Sequence, residues 1–125
     1  MNKTLLIAAA AMFAAAAPAA AQMPAGDAEK GKKVFNQCRA CHVTTKGMNR
    51  VGPSLHAVVG RESGTVEKFK YSKANLSSDV TWDEATLFKY LEAPMKFMPG
   101  TKMAFAGLKK PQDRADVIAY LKTQK

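Results

Sequence analysis

The sequence predicts an all-α fold, with helices and loops and no sheet. Two segments, near residues 27–38 and 111–122, carry apolar residues at helical spacing, and a third begins with a capping pattern at Thr81. The segments between them are rich in glycine, proline and charge, and none alternates between apolar and polar residues as a strand does. A chain of 125 residues suits one domain with one modest core.

The first 21 residues have the pattern of a cleavable secretory signal peptide. After one lysine comes an apolar run over residues 5–17, shorter than the ~20 residues that a membrane-spanning helix needs. Three alanines, residues 19–21, suit signal peptidase and predict cleavage after Ala21. A cut after Ala19 and an uncleaved anchor are the alternatives. We therefore expect a periplasmic protein with one domain over residues 22–125.

The chain is strongly basic, with 19 Lys and Arg against 10 Asp and Glu. A basic surface suits nucleic acid, acidic lipid or an acidic protein. Secretion, and the lack of a helix-turn-helix or aromatic stacking motif, argue against nucleic acid. Many of the lysines simply lie on solvated faces. Those that flank the motifs below are candidates for steering an acidic partner, and they include Lys33, Lys96 and Lys102.

The first predicted helix begins at Asp27, a suitable N-cap, and runs toward the cysteines. Val34, Phe35 and Cys38 form its apolar stripe. Gly31 interrupts this helix, although a glycine there costs about 1 kcal/mol relative to alanine. We interpret Gly31 as allowing another helix to approach closely.

The segment Cys38-Arg39-Ala40-Cys41-His42 carries the chemistry. On a helical turn the two thiols share a face, and His42 lies one turn from Cys38. This spacing is the attachment signature of a c-type haem, in which both cysteines add to vinyl groups and the histidine binds iron.

Other uses of two neighbouring cysteines fit less well. A redox dithiol of the thioredoxin type follows a strand and lies within a βαβ unit, whereas a predicted amphipathic helix precedes Cys38 here. Structural zinc usually takes four Cys or His ligands, and His56 is the one remaining Cys or His in the chain. A plain disulfide gives no reason for the adjacent His42.

A turn at Gly52-Pro53 leaves the Pro53 carbonyl free as an acceptor. A metal-bound histidine usually donates its second N–H to such a group. Pro53 is therefore a candidate to orient His42, and an ordinary turn is an equal alternative.

Two more helices follow a predicted long loop over residues 60–71. A capping box starts the first of them at Thr81, and the helix stops before Pro94. The last helix has Pro111 at its first position and should pack on the first helix at Gly31.

Residues 94–103 read as a proline-glycine loop dense in methionine. A thioether is usually core filler, but here such a loop is the natural source of a second axial ligand. The spacing leaves several candidates open: Met48, Met95, Met98, Met103 and, for bis-histidine iron, His56.

Taken in order, these motifs resemble class I cytochrome c over nearly all of residues 26–124. The matching segments are Gly-Asp-Ala-Glu-Lys-Gly-Lys-Lys-Val-Phe, Cys-Arg-Ala-Cys-His, Gly-Pro-Ser-Leu-His, Tyr-Ser-Lys-Ala-Asn, Thr-Trp and Pro-Gly-Thr-Lys-Met-Ala-Phe-Ala-Gly. The chain is similar to mitochondrial cytochrome c and, given the signal peptide, most similar to the bacterial periplasmic cytochromes c-two.

The resemblance implies a set of site residues. One haem c would be bound covalently through Cys38 and Cys41, with iron between His42 and Met103 and the Pro53 carbonyl behind His42. The haem propionates would be held by Arg61, Tyr71, Trp82 and Thr101, the polar network beside the methionine would contain Asn75 and Tyr90, and Phe105 would cover the haem near its exposed edge.

The resemblance also implies a function. The protein would be a monomeric one-electron carrier, not an enzyme, between a bc-type complex and a photosynthetic reaction centre or terminal oxidase. It would dock on acidic surfaces of these membrane complexes. The alternatives are a haem peroxidase or gas-binding cytochrome with a labile sixth ligand, for which no distal acid or base is evident, and a thiol-disulfide oxidoreductase.

Overall fold

A computed structural model describes residues 8–13 and 23–125. Its α-helices, in chain order, are α1 (Ala28–Val34), α2 (Lys73–Leu76), α3 (Glu84–Tyr90), α4 (Pro94–Phe97) and α5 (Pro111–Lys122), and a 3-10 turn over Phe35–Gln37 continues α1. Within the described ranges the one β feature is an isolated bridge between Glu62 and Thr81. The predicted all-α class is confirmed.

The predicted signal peptide falls mainly outside the described residues. Its described part, residues 8–13, is exposed and not helical. Across residues 8–13 and 23–125, no helix combines the length and the apolar character that crossing a bilayer requires.

Helix α1 begins and packs as predicted. The Asp27 carboxylate accepts a hydrogen bond from the Lys30 amide at 3.1 Å and caps the helix. At Gly31 the helix lies against the backbone of α5, where a Cβ would collide with the carbonyl oxygen of Asp116. The Phe35 and Tyr120 rings meet beside this crossing, with centroids 5.2 Å apart. The crossing fixes the orientation of the segment that follows α1.

The predicted start of α3 is wrong by two residues. Asp83, not Thr81, is the N-cap, and its carboxylate accepts from the Thr86 amide at 2.7 Å. Thr81 instead pairs with Glu62 in the isolated bridge, which commits its backbone to an extended conformation. Both residue types can cap a helix, and the tertiary pairing of Thr81 decides between them.

Helices α2 and α4 were not predicted. Each has four residues, which is too short to show a helical period in the sequence. Helix α4 occupies the start of the predicted loop over residues 94–103, with Pro94 at its first turn. Proline is compatible with that position because its missing N–H would have no partner there.

The hydrophobic core lies along one side of a cavity. Val117, Ile118 and Leu121 of α5 pack with Leu87 and Leu91 of the α3 region in one buried cluster. Four of these five side chains, all but Ile118, also line the cavity described next. The core therefore serves as a cavity wall.

Candidate functional site

One wall of the site is the helical turn after α1. The amides of Cys41 and His42 both donate to the Cys38 carbonyl, at 3.1 and 2.9 Å. This turn puts both thiols and the imidazole on one side, and all three residues line the same cavity. Both cysteines are free and half-buried. The spacing predicted from the sequence is therefore realised as a single surface.

The His42 ring is held from behind by the Gly52-Pro53 turn. Its Nδ1 lies 2.7 Å from the Pro53 carbonyl oxygen. Because a carbonyl can only accept, Nδ1 carries the proton and donates, which leaves the Nε2 lone pair free. A Cβ at Gly52 would collide with the imidazole, so only glycine lets the backbone approach the ring this closely.

The environment favours a neutral imidazole. Burial lowers the pKa of His42, the nearby positive charge of Arg61 lowers it further, and the hydrogen bond to Pro53 opposes both. A neutral imidazole is the form that binds metal.

The thiols lie in an environment unlike that of a redox dithiol. Burial, with a smaller contribution from Cys41, raises the pKa of Cys38 to about 11. Catalytic dithiols instead have lowered thiol pKa values, because the thiolate is the attacking species. A thiol with a raised pKa is a poor attacking group, which does not favour a thiol-disulfide oxidoreductase.

A second wall is formed by Met103 and its polar neighbours. The Tyr90 hydroxyl donates to the Met103 sulfur at 3.1 Å. The Met103 amide donates to the Thr101 hydroxyl at 3.2 Å. The thioether therefore has a defined position on the cavity surface.

Aromatic and amide groups extend this wall. The Trp82 and Tyr90 rings are in contact, with centroids 4.6 Å apart. Asn75 also lines the cavity, and its buried side-chain oxygen has no hydrogen-bond partner. Buried polar atoms are usually paired, so this acceptor is an exception within the described part of the chain.

The walls enclose a cavity of about 380 Å³, within the ~300–1,000 Å³ usual for ligand and cofactor sites. All the site residues named from the sequence line it: Cys38, Cys41, His42, Pro53, Arg61, Tyr71, Asn75, Trp82, Tyr90, Thr101, Met103 and Phe105. Of the axial-ligand candidates that spacing left open, Met103 lines the cavity, and Met48, Met95, Met98 and His56 do not.

Sequence reasoning missed much of the lining. The apolar members that it did not assign to the site include Leu55, Val58, Phe69, Leu87, Leu91, Leu108, Val117 and Leu121, and the polar ones include Gln37 and Ser72. An apolar residue at core spacing looks the same whether it faces protein or a cofactor. Ser72 is of a residue type that often caps helices, and this was the one weak signal in the sequence. In the structure its hydroxyl caps α2 by accepting from the Asn75 amide at 3.1 Å.

The family profile of cytochrome c matches residues 28–125. The chain belongs to the cytochrome c family. Cytochrome c of Chlamydomonas reinhardtii is 56% identical over 104 residues, which cover 82% of this chain and 93% of that protein. Cytochrome c2 of Rhodopila globiformis is 52% identical over 103 residues, covering 82% and 97%. Cytochrome cH from Methylobacterium extorquens superposes with a TM-score of 0.74 at 45% identity, covering 78% of this chain and 99% of that one.

Membership of the cytochrome c family settles the fold, the cofactor and the broad activity. The protein is a class I c-type cytochrome, an electron carrier and not an enzyme. Haem c is bound covalently through Cys38 and Cys41. The residues present fit that group, since two free cysteines, a histidine and a methionine line one largely apolar cavity.

Tyr90 gives a pH-dependent prediction for this cytochrome c. Burial raises the pKa of Tyr90 to about 12, against ~10 for an exposed tyrosine. As pH rises from 10 to 12, the unfolded chain loses the Tyr90 proton before the folded protein does. The raised pKa therefore contributes stability to the fold below pH 10, and that stability is lost by pH 12.

We expect the wild-type free energy of unfolding to fall by about 2 kcal/mol more than that of Tyr90→Phe over this interval. Denaturant titrations of both holoproteins from pH 9 to 12 would measure the difference. Parallel stability curves would contradict the prediction.

Proposed function

We propose that this cytochrome c is a periplasmic one-electron carrier in which His42 and Met103 bind the haem iron. It would receive electrons from a bc-type complex and pass them to a photosynthetic reaction centre or a terminal oxidase. The observation that carries the proposal is the pair of donors on one cavity, each held by its own hydrogen bond, His42 to Pro53 and Tyr90 to Met103.

His42 supplies a preoriented neutral nitrogen. The Pro53 carbonyl holds the Nδ1 proton, so Nε2 is the donor that remains. Burial lowers the pKa of the imidazole, which favours the neutral form that binds metal. A ligand held from behind in this way moves little when the charge in the cavity changes.

Met103 supplies a soft sulfur ligand. When bound, haem c provides a one-electron Fe(III)/Fe(II) couple, whose reduced state a thioether favours. The Tyr90 hydroxyl draws electron density from the Met103 sulfur through its hydrogen bond. The apolar lining of the cavity disfavours the extra positive charge that the oxidised iron would carry. All three effects favour a high reduction potential.

Polar side chains on the cavity wall are proposed to hold the two propionates. The Tyr71 hydroxyl accepts from the Val66 amide at 3.1 Å, so its own proton is free to donate. Arg61 uses one guanidinium nitrogen on two backbone carbonyls, both at 3.0 Å, which positions the rest of the group. Trp82 and Thr101 add further donors on the same cavity.

We place the mature domain at residues 22–125, after cleavage at Ala21. Contacts made by residues just after this boundary support keeping them in the mature domain. Met23 packs on the core, and the Ala25 carbonyl accepts from Gln112 of α5 at 2.9 Å. A cut far beyond Ala21 would remove these contacts.

The proposed partners are membrane complexes with acidic docking surfaces, and electrostatic steering gives the test. Between about 0.01 M and 0.15 M salt the Debye length falls from ~30 to ~8 Å. We expect the second-order rate of electron transfer to native membranes to fall by about tenfold or more over that range. Stopped-flow oxidation of the reduced holoprotein would measure it.

Lys102→Gln should reduce both the low-salt rate and the salt dependence. The matched control is Lys122→Gln on α5, because Lys122 already pairs with Glu84 at 3.3 Å. A rate that does not change with salt would overturn the proposed mode of docking.

A further inference from the structure

Residues 43–57 form a loop without helix, and the Pro53 carbonyl in this loop accepts from the His42 ring. We call it the histidine loop. One buried hydroxyl closes the loop on itself, since Ser54, which is 2% exposed, donates to the Thr45 carbonyl at 2.6 Å. That bond joins two parts of the loop to each other and does not tie the loop to a helix. The position of Pro53 therefore also depends on contacts from outside the loop.

The segment that follows α5 supplies such contacts at both ends of the histidine loop. The Gln124 side-chain oxygen accepts from the Thr44 hydroxyl at 2.9 Å. The Gln124 backbone carbonyl accepts from the Ala57 amide at 2.7 Å. Gln124 is itself held, because its amide donates to the Leu121 carbonyl of α5 at 3.0 Å. One residue therefore joins the start and the end of the loop to α5.

The backbone of Ala57 is strained at the point where Gln124 binds it. Its φ is 52°, in the left-handed region that a residue with a Cβ adopts only at a cost. Such a conformation persists where the surrounding contacts hold it. The hydrogen bond from the Ala57 amide to Gln124 is one of these contacts, since it fixes the orientation of the peptide group before Ala57.

We propose that Gln124 is a positioning residue for the His42 ring. By holding both ends of the histidine loop against α5, it keeps the Pro53 carbonyl within hydrogen-bond distance of Nδ1. A metal-bound imidazole that donates its other N–H to an acceptor is a stronger ligand. Gln124 does not line the cavity, so it acts on the iron only through the loop. The inference rests on the proposed binding of iron by His42.

The test follows the Nδ1 proton of His42 by NMR in the reduced holoprotein, isotopically labelled at its histidines. Exchange of a buried N–H with solvent requires local opening, so its rate measures how firmly the loop is held. We expect Gln124→Ala to speed this exchange by about fivefold, because a hydrogen bond that holds the loop is lost. A chain shortened to end at Thr123 also loses the carbonyl bond to Ala57 and should exchange faster still.

The Thr44 hydroxyl gives an independent check of the same bond. Thr44→Val removes the donor, keeps the shape of the side chain and should speed the exchange as much as Gln124→Ala does. The double variant should be no faster than either single variant, because both substitutions remove one interaction. Gln124→Glu keeps an acceptor oxygen and should restore the wild-type rate. Additive effects of Thr44→Val and Gln124→Ala would contradict the proposed bond.

Gln112→Ala is the matched control, since it makes the same substitution about 18 Å away along the axis of α5. The Gln112 side chain donates to the Ala25 carbonyl and to the Asp116 carboxylate, both at 2.9 Å. Its loss should leave the exchange of the His42 proton unchanged. Equal acceleration in Gln112→Ala would show that the rate measures a general loss of stability, and the role of Gln124 would be refuted.

The reduction potential separates positioning of the ring from loosening of the cavity. A weaker hydrogen bond from Nδ1 makes the imidazole a poorer donor to Fe(III), so Gln124→Ala should raise the potential. General loosening would admit water, which favours the more highly charged Fe(III) and lowers the potential. A redox titration in which the potential of Gln124→Ala is unchanged or lower would overturn the proposal.

The same NMR spectra distinguish this inference from the proposed function. The ring protons of a histidine bound to haem iron lie against the macrocycle, whose ring current shifts their resonances far upfield, and His56 gives the unshifted reference. If the His42 resonances are not shifted in the wild type, His42 is not the ligand and the proposed function fails. If they are shifted and Gln124→Ala exchanges as slowly as the wild type, the ligation stands and the role of Gln124 is wrong.

Discussion

Met103→Ala is expected to remove the weak near-infrared charge-transfer band that marks methionine ligation of Fe(III). The Soret band of covalent haem should persist. The reason is that Met103 is the thioether that lines the cavity and accepts the Tyr90 hydroxyl at 3.1 Å. The reduction potential should fall by ~0.1 V or more, within the ~0.8 V over which axial ligands set haem potentials. Optical spectra and a redox titration of the purified holoprotein would show both changes.

Met98→Leu is the matched control for this experiment. Met98 is 4% exposed and lies five residues before Met103, but it does not line the cavity. A volume-conserving swap there should cost less than about 1.5 kcal/mol and leave the band unchanged. A band that survives in Met103→Ala would show that the ligand has been assigned to the wrong residue, and His56 would then be tested next.

Gly31→Ala is expected to destabilise the holoprotein by about 2 kcal/mol, the difference between the two effects. Two effects oppose each other at this position. Helix propensity alone would stabilise the variant by about 1 kcal/mol. Packing opposes it, because the new Cβ would collide with the Asp116 carbonyl oxygen, which is backbone and cannot move aside without shifting α5. The packing effect should therefore decide the sign.

Guanidinium unfolding of the two proteins, followed by far-UV circular dichroism, would measure the change. Lys32→Ala is the control in the same helix, since Lys32 is exposed, and it should change stability by no more than about 0.5 kcal/mol. A Gly31→Ala protein more stable than wild type would refute the close crossing.

The sequence predicted the features that have a local physical signature. Asp27 as a cap, Pro111 at a first turn and Gly31 at a crossing are each recognisable from one residue and its neighbours, and each was confirmed. The cap at Thr81 was wrong because the competing bridge to Glu62 is a tertiary contact. No local pattern contains that information.

The site shows the same division between local and tertiary information. Cys38, Cys41 and His42 are adjacent in the chain, so their spacing alone predicts their chemistry. Met103 could be chosen among several methionines only from the family resemblance, because its position depends on how residues 94–103 fold over the cavity. The roles of His42 and Met103 as iron ligands remain predictions, and Met103→Ala would test the second of them.

Helix α1 has one further consequence, for the evolution of the protein. Its inner face is committed to the crossing through Gly31, whereas Lys30, Lys32 and Lys33 are exposed to solvent. Substitutions of exposed side chains that take no part in such a contact usually change stability by no more than about 0.5 kcal/mol. A lineage can therefore exchange the outer charges to suit a new redox partner while the inner face stays fixed. The helix thus lets selection on partner choice proceed without opposing selection on folding.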